Sequence, residues 1–351
     1  MFRETLSFDD VLLVPNYSEI TSRKNVDLSV KLKSVLPDSR KDEIVLKYPI
    51  ISSPMDTITE SEMATEMSRL GGLGIIHRYN SIDQQVVDIK NSIANGAKNV
   101  GAAIGVTGFY FKRACHCLAA GANLICIDTA HGHHIAVKEA LENLRRNIGN
   151  DIYIIAGNVA TLEGYEQLIE WGANAVRVGI GGGSICSTRL KTGHGVPTFQ
   201  SILDCAKSKY AGDYPIIADG GIKSSGDAVK ALAAGADVLI MGSMFSGTDK
   251  TPGRVHFNEH GQKYKIYRGM ASPEAQIAWK GSYSSNEGVT SKVHYKGSCE
   301  KVFNDITRGI SSGLSYSGAL NIEELQAKSS FIRQTSAGIN ESKTHIHDKS
   351  L

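Results

Sequence analysis

Apolar residues fall along this chain in short, nearly continuous runs rather than in alternation. The runs are YPIISS (48–53), LGIIH (73–77), VGAAIGV (100–106), ANLICID (122–128), DIYIIAGN (151–158), AVRVGIG (175–181), YPIIADGG (214–221) and DVLIMGS (237–243). Each has the length of a strand, and continuous apolarity marks a strand covered on both faces. Between them sit stretches such as AVKEALENLRRNI (136–148) and SGDAVKALAAGA (225–236), whose apolar residues recur at helical spacing. Eight strands alternating with helices predict a parallel sheet closed on itself, an α/β fold of the (β/α)8 barrel type.

The rhythm stops after the eighth run. Residues 247–300 are rich in Gly, Ser, Lys and Tyr and read as a long mobile flap inserted after strand eight. Amphipathic character returns over 300–328, and residues 329–351 read as a polar tail. One catalytic domain over 1–351 is the expected organisation.

Composition narrows the picture by exclusion. The chain has 351 residues, 41% hydrophobic and 21% charged, with a formal net charge of +2. No dense Lys/Arg run offers nucleic acid an electrostatic footprint. No apolar run approaches the roughly 20 residues of a membrane span. The N-terminus MFRETLSFDD carries acids where a secretory leader needs a basic start, so a cytoplasmic location is expected. The six cysteines then read as reduced thiols. A small-molecule ligand is the remaining expectation.

In a barrel of this kind the working residues lie where strands run into loops. Strand six enters GIGGGSICSTRLKTGHG (179–195), strand seven reaches Asp219, Gly220 and Gly221, and strand eight reaches Gly242 and Ser243. Glycine N–H groups and the Ser184 and Ser243 hydroxyls suit a phosphate. Cys186 sits inside the first loop with Thr188 two residues on, where backbone N–H groups favour a thiolate nucleophile. His131, His133 and His134 follow strand four without metal-ligand partners at suitable spacing, and their loop is expected to line a ligand cleft.

These segments resemble one enzyme family. FDDVLLVP (8–15), SSPMDT (52–57), GGLGIIH (71–77), GNVAT (157–161), VGIGGGSICSTR (178–189), IADGGI (217–222), YRGM (267–270), EGV (287–289) and YKG (295–297) are similar to the signatures of IMP dehydrogenases and GMP reductases. The resemblance implies a homotetrameric barrel in which Cys186 adds to C2 of a purine nucleotide, GMP or IMP. It implies Thr188 and Glu287 as catalytic partners. It puts Ser53, Met55, Ser184, Asp219, Gly220, Gly221, Gly242, Ser243, Gly269 and Met270 on nucleotide contacts, with Asp219 holding the ribose hydroxyls. Arg78, Asp128, Thr129 and Ala130 would line the nicotinamide cofactor site, with Ser22 and Arg23 contributing to a neighbouring subunit. Carbonyls of Gly181, Gly183 and Cys186 would hold a monovalent cation, potassium.

The family divides by how the adduct is resolved. A dehydrogenase uses an Arg-Tyr pair on its flap to activate water, and no such pair occurs between Met270 and Glu287. The short flap, Lys191 and the lack of an inserted regulatory domain after strand two resemble the reductase, which implies NADPH, or NADH, as cofactor. MGSMFSGTDKTPG (241–253) and SAGINES (336–342) resemble a short-type dehydrogenase instead. Gly182, Ser187 and His194 depart from both patterns, as does Ser284 or Ser285 where many reductases carry an arginine that stacks on the cofactor.

Overall fold

The computed structural model describes residues 3–39, 43–284 and 286–342. Strands β1 (Ile50–Ser52), β2 (Leu73–Ile76), β3 (Val100–Ile104), β4 (Leu124–Asp128), β5 (Tyr153–Val159), β6 (Ala175–Val178), β7 (Ile216–Asp219) and β8 (Val238–Met241) pair in parallel and close into a barrel. Helices α1 (Ser61–Leu70), α2 (Ile82–Ala94), α3 (Tyr110–Ala119), α4 (Ile135–Ile148), α5 (Leu162–Glu170), α6 (Thr198–Cys205), α7 (Ser225–Ala233) and α8 (Cys299–Tyr316) lie outside it. All eight expected strands are present, and the fold is the (β/α)8 barrel. No helix among the described residues is long and apolar enough to cross a membrane.

Continuous apolarity is needed because each strand faces two cores. Ile51, Ile75, Tyr153, Ile155, Ile217 and Ile240 point into the barrel, while Ile50, Ile76, Ile154, Ile216 and Leu239 face the helices. The period of two along each strand produces this split. An N-terminal hairpin, Val30–Leu32 paired with Ile44–Leu46, closes one end of the barrel. Its Leu32, Ile44 and Leu46 pack on Leu73, Leu124, Tyr153 and Val238, the first residues of their strands. The opposite, C-terminal mouth stays open for chemistry.

The flap and the tail carry secondary structure of their own. Residues 247–300 include an antiparallel sheet of β9 (His256–Phe257), β10 (Lys263–Arg268) and β11 (Thr290–His294), with a flap helix at Pro273–Lys280. Lys265 roots this sheet, donating at 3.1 Å to Thr248 O and at 2.5 Å to Thr251 O from a buried position. Arg268 adds a second anchor, with Nε 2.8 Å from Asp56 on the loop after β1. The polarity that suggested mobility therefore serves side chains that satisfy loop carbonyls and carboxylates. The tail is likewise partly folded, because Phe331–Arg333 pairs with Val11–Leu13. The region 300–328 divides into α8 and a further helix, Ile322–Lys328.

Just before β8, Asp237 accepts the Ile216 N–H at 2.8 Å. Burial pushes its carboxyl up to about 6, against the opposing pull of hydrogen bonds from Ile216 and Gln326. The folded chain thus holds this proton more tightly than the unfolded one, and stability falls as pH rises from about 4 to about 6. Asp237→Asn should raise the unfolding free energy at pH 7.5 by about 1–3 kcal/mol, the gain shrinking as pH falls towards 4. Denaturant unfolding across that range checks it, and a pH-independent difference would contradict it.

Candidate active site

At the open mouth a cleft of about 340 Å³ collects residues from six βα loops and the flap. Its floor is polar because period-two geometry points three ionisable residues inward at the same level. Arg177 is the inward residue of β6, Asp128 of β4 and Asp219 of β7. The Arg177 guanidinium lies 2.7 Å from Asp128 Oδ1 and 2.7 Å from Asp219 Oδ2, with Nε 3.1 Å from the latter. Asn158 donates to Asp219 Oδ2 at 2.9 Å and to Gly179 O at 2.8 Å. Burial opposes ionisation of Asp128, but the Arg177 and Arg78 guanidinium groups overcome it and hold its carboxyl below the usual range. Arg177 is held charged, its pKa well above the usual value, because the two carboxylates outweigh its burial.

The glycines on this floor follow from crowding. Gly179 has φ +145°, and a Cβ there would stand 2.0 Å from the Asp219 carbonyl oxygen. No other residue fits without moving β7.

Cys186 is exposed at the cleft edge, its Sγ 3.1 Å from Thr188 Oγ1, and Thr188 donates to Glu287 Oε2 at 3.0 Å. A flap ladder assembles the three. Ser187 N–H donates to Glu287 O at 2.8 Å, Val289 N–H to Ile185 O at 3.1 Å, and Gly269 N–H to Val289 O at 3.0 Å. The cysteine loop is thereby bridged to the flap at Cys186 and Gly288. Four other thiols are buried, and burial pushes Cys117, Cys205 and Cys299 up to about 12 and Cys126 up to about 11. Of the six, Cys186 alone combines exposure with a hydroxyl and a carboxylate in sequence.

The remaining expected residues gather here too. Ser53, Met55, Ser184, Gly220, Gly221, Gly242, Ser243, Gly269 and Met270 line one side of the cleft. Arg78, Thr129 and Ala130 line it beside Asp128, and Gly181 and Gly183 belong to the cysteine loop. Arg78 donates to Asp128 O at 3.1 Å and lies 5.1 Å from the Tyr79 ring centre and 5.7 Å from that of Trp279. Ser22 and Arg23 do not enter the cleft: they sit in a one-turn helix against α8. Ser284 bonds Gln276, and Ser285 lies outside the described residues.

The loop after β4 lines the cleft through Thr129 and Ala130, while His131, His133 and His134 lie beyond that wall. His133 Nε2 lies 2.8 Å from Gln167 Oε1, and His134 caps α4 through the Ala136 N–H at 3.1 Å. No group of three or more His, Cys, Asp or Glu among the described residues is arranged to hold a metal ion. Sequence reasoning also overlooked Arg177, Asn158 and Tyr267. A charge inside the apolar run AVRVGIG was the available signal for Arg177, since a buried guanidinium requires partners. Tyr267 opens the YRGM segment, and burial pushes its phenol up to about 12 against a hydrogen bond from Ser184.

Removing Arg177 would leave the Asp219 carboxylate without its cation and Asp128 with Arg78 alone. Arg177→Met should cost about 3–5 kcal/mol in urea unfolding, and neutralising both partners with Asp128→Asn and Asp219→Asn should recover part of it. Unchanged stability of the single variant would contradict this account of the floor.

Comparison with known proteins agrees with this geometry. The family profile described as "IMP dehydrogenase / GMP reductase domain" matches residues 5–345. The chain is 38% identical to an inosine-5'-monophosphate dehydrogenase of Cryptosporidium parvum, covering 98% of this chain and 95% of the relative. It is 34% identical to another from Nitrosopumilus maritimus (strain SCM1), covering 98% of both chains. It is also 31% identical to a GMP reductase of Leishmania major, covering 97% of each. Among solved structures, a Cys-to-Ala variant of GMP reductase from Trypanosoma brucei in complex with guanosine 5'-monophosphate superposes with a TM-score of 0.90 at 29% identity, covering 98% of both chains. With a closed barrel, a cysteine loop zipped to its flap and a family match along nearly its whole length, this chain belongs to the IMP dehydrogenase / GMP reductase family of oxidoreductases.

Proposed function

We propose that the protein is a GMP reductase that converts GMP to IMP and ammonia at the expense of NADPH, through a covalent Cys186 adduct. The observation that carries this reading is the relay Cys186–Thr188–Glu287, at 3.1 and 3.0 Å, on a flap that lacks an Arg-Tyr pair. The Cys186 thiolate attacks C2 of GMP. The C2–N bond breaks, and the amine leaves as ammonia with a proton passed from Glu287 through Thr188. Bound NADPH supplies the hydride that reduces C2. The C2–S bond then breaks, returning the thiolate and releasing IMP. A general acid is needed when the amine departs, and Glu287 is the carboxylate within hydrogen-bond reach of the relay.

Other residues bind and orient. Ser184, Gly221 and Ser243 offer N–H and hydroxyl donors to a phosphate, and Tyr267 lies beside them. Asp219 keeps one oxygen on Arg177 and Asn158 and the other for ribose hydroxyls. Ser53, Met55, Gly220, Gly242, Gly269 and Met270 enclose the rest of the nucleotide. Arg78, Asp128, Thr129 and Ala130 border the cofactor, with Ser22 and Arg23 serving a neighbouring subunit in a homotetramer. Carbonyls of Gly181, Gly183 and Cys186 are hard oxygen donors suited to a potassium ion, although Gly183 O already accepts the Cys186 N–H at 3.1 Å.

The dehydrogenase activity, IMP to XMP with NAD, is the second reading, favoured by the names of the Cryptosporidium and Nitrosopumilus relatives. Both readings use the same nucleophile and differ in what resolves the adduct. Following nicotinamide absorbance with GMP plus NADPH, and separately with IMP plus NAD, separates them. NADPH oxidation with release of ammonia is expected in the first mixture, and rapid ammonia-independent XMP formation in the second would overturn the reductase.

Cys186→Ala should lower turnover by at least about 1,000-fold while GMP still binds, since the phosphate contacts at Gly221 and Ser243 and the ribose contact at Asp219 lie on other loops. Glu287→Gln should lower kcat by about 10²–10⁴ with little change in GMP affinity, as for a group acting mainly in the transition state. Steady-state kinetics and equilibrium titration check both, and a Cys186→Ala enzyme that keeps working would remove the nucleophile from the scheme.

A further inference from the structure

A second cavity, of about 220 Å³, shares Gly182, Ser184, Gly221, Ile222 and Ser243 with the main cleft. Its outer wall is Ser7, Phe8, Asp9, Arg189, Pro197, Thr198 and Lys223. Three independent features of that wall suit an anion. The α6 helix starts here with Pro197 as its cap residue, which supplies no side-chain hydrogen bond to the first-turn N–H groups. Thr198 is only 4% exposed, and its Oγ1 is buried without a hydrogen-bond partner. That oxygen faces the shared wall, because a Cβ on Gly182 would stand 2.3 Å from it and one on Gly221 3.6 Å. Arg189 is steadied by donating to Val196 O at 2.8 Å and makes no ion pair among the described residues. Lys223, by contrast, is neutralised by Asp9 at 2.8 Å.

A buried hydroxyl without a partner is costly, and a ligand oxygen would remove that cost. An unneutralised guanidinium beside a helix N-terminus favours a doubly charged tetrahedral anion. Glycine at 182 is what keeps the passage open, since any side chain there would collide with Thr198 Oγ1.

We propose that this cavity is a subsite for a second phosphoryl group, adjacent to the one held by Ser184, Gly221 and Ser243. Its occupant is the β-phosphoryl of a purine nucleoside diphosphate spanning both cavities, or inorganic phosphate lying beside a bound monophosphate. The inference rests on the reading that the main cleft takes a purine nucleoside monophosphate.

Calorimetric titration of the full chain at constant ionic strength tests it with three probes: GMP, GDP, and inorganic phosphate added to GMP-saturated protein. The variants are Arg189→Gln and Thr198→Val, each checked for an unchanged unfolding midpoint. For a diphosphate occupant, GDP binds about tenfold or more tighter than GMP, Arg189→Gln weakens GDP by about tenfold or more and Thr198→Val by about threefold, and GMP shifts by less than about twofold. For free phosphate, the same losses appear in the phosphate titration instead. The subsite is disproved if GDP gains nothing over GMP and phosphate does not bind, or if both variants bind GDP and phosphate as the parent does. Failure of GMP to bind the parent protein would sink the monophosphate reading separately, and phosphate binding to the nucleotide-free chain and its variants would then decide the subsite.

Discussion

The site depends on one buried cation. Arg177 ties Asp128 to Asp219 across the mouth of the barrel, and through them it joins the two halves of the cleft. Each carboxylate alone would be costly to bury, and the guanidinium alone more so. Together, with Asn158 donating to Asp219 and Arg78 to the carbonyl of Asp128, they form the polar floor of the cleft. A network of this kind fixes geometry more than it adds stability, because the cost of dehydrating the charges offsets much of their attraction. What it provides is two carboxylates held at a set distance by one guanidinium.

The flap provides the second constraint. Its sheet is rooted by Lys265 in the carbonyls of Thr248 and Thr251, and by Arg268 on Asp56. Backbone pairing then carries that fixed position across Gly269, Val289 and Ile185 to the cysteine loop. Thr188 and Glu287, 99 residues apart in the chain, meet at 3.0 Å through this ladder. Cys186 thus stands on a loop that the flap ladder holds in place as well as the barrel. A change at either root would be felt at Cys186 without touching it.

The two cavities meet at the glycine-rich corner formed by the loops after β6, β7 and β8. Crowding there explains the composition better than flexibility does. Gly179 lies against Asp219, Gly182 against Thr198, and Gly242 against Tyr267 and Met55. Missing side chains make room for an anion to approach backbone N–H groups, the usual reason that phosphate sites are built from glycine.

Much of this was legible in the residues. Eight apolar runs specified eight strands because a strand buried on both faces leaves no polar position, and the loops that follow them carried Cys186, Asp219 and Ser243 in recognisable segments. The sheet within the flap was not legible because lysines, serines and glycines break its apolar pattern. The loop after β4 does reach the cleft, but the direction of its histidines was not legible, because adjacency in sequence says nothing about which way a βα loop turns its side chains, and His133 and His134 turned to Gln167 and the start of α4. Arg177 was passed over inside an apolar run for the same reason: its meaning lies in Asp128 and Asp219 on other strands. By itself the sequence determined the barrel and put the cysteine loop and the glycine-rich segments at strand ends, since hydrophobic period and local motif are properties of neighbouring residues. Only the tertiary structure decided which charges share a cation, which carboxylate reaches Thr188 and where a second anion fits, because those contacts join segments that nothing but the closed barrel and its flap brings together.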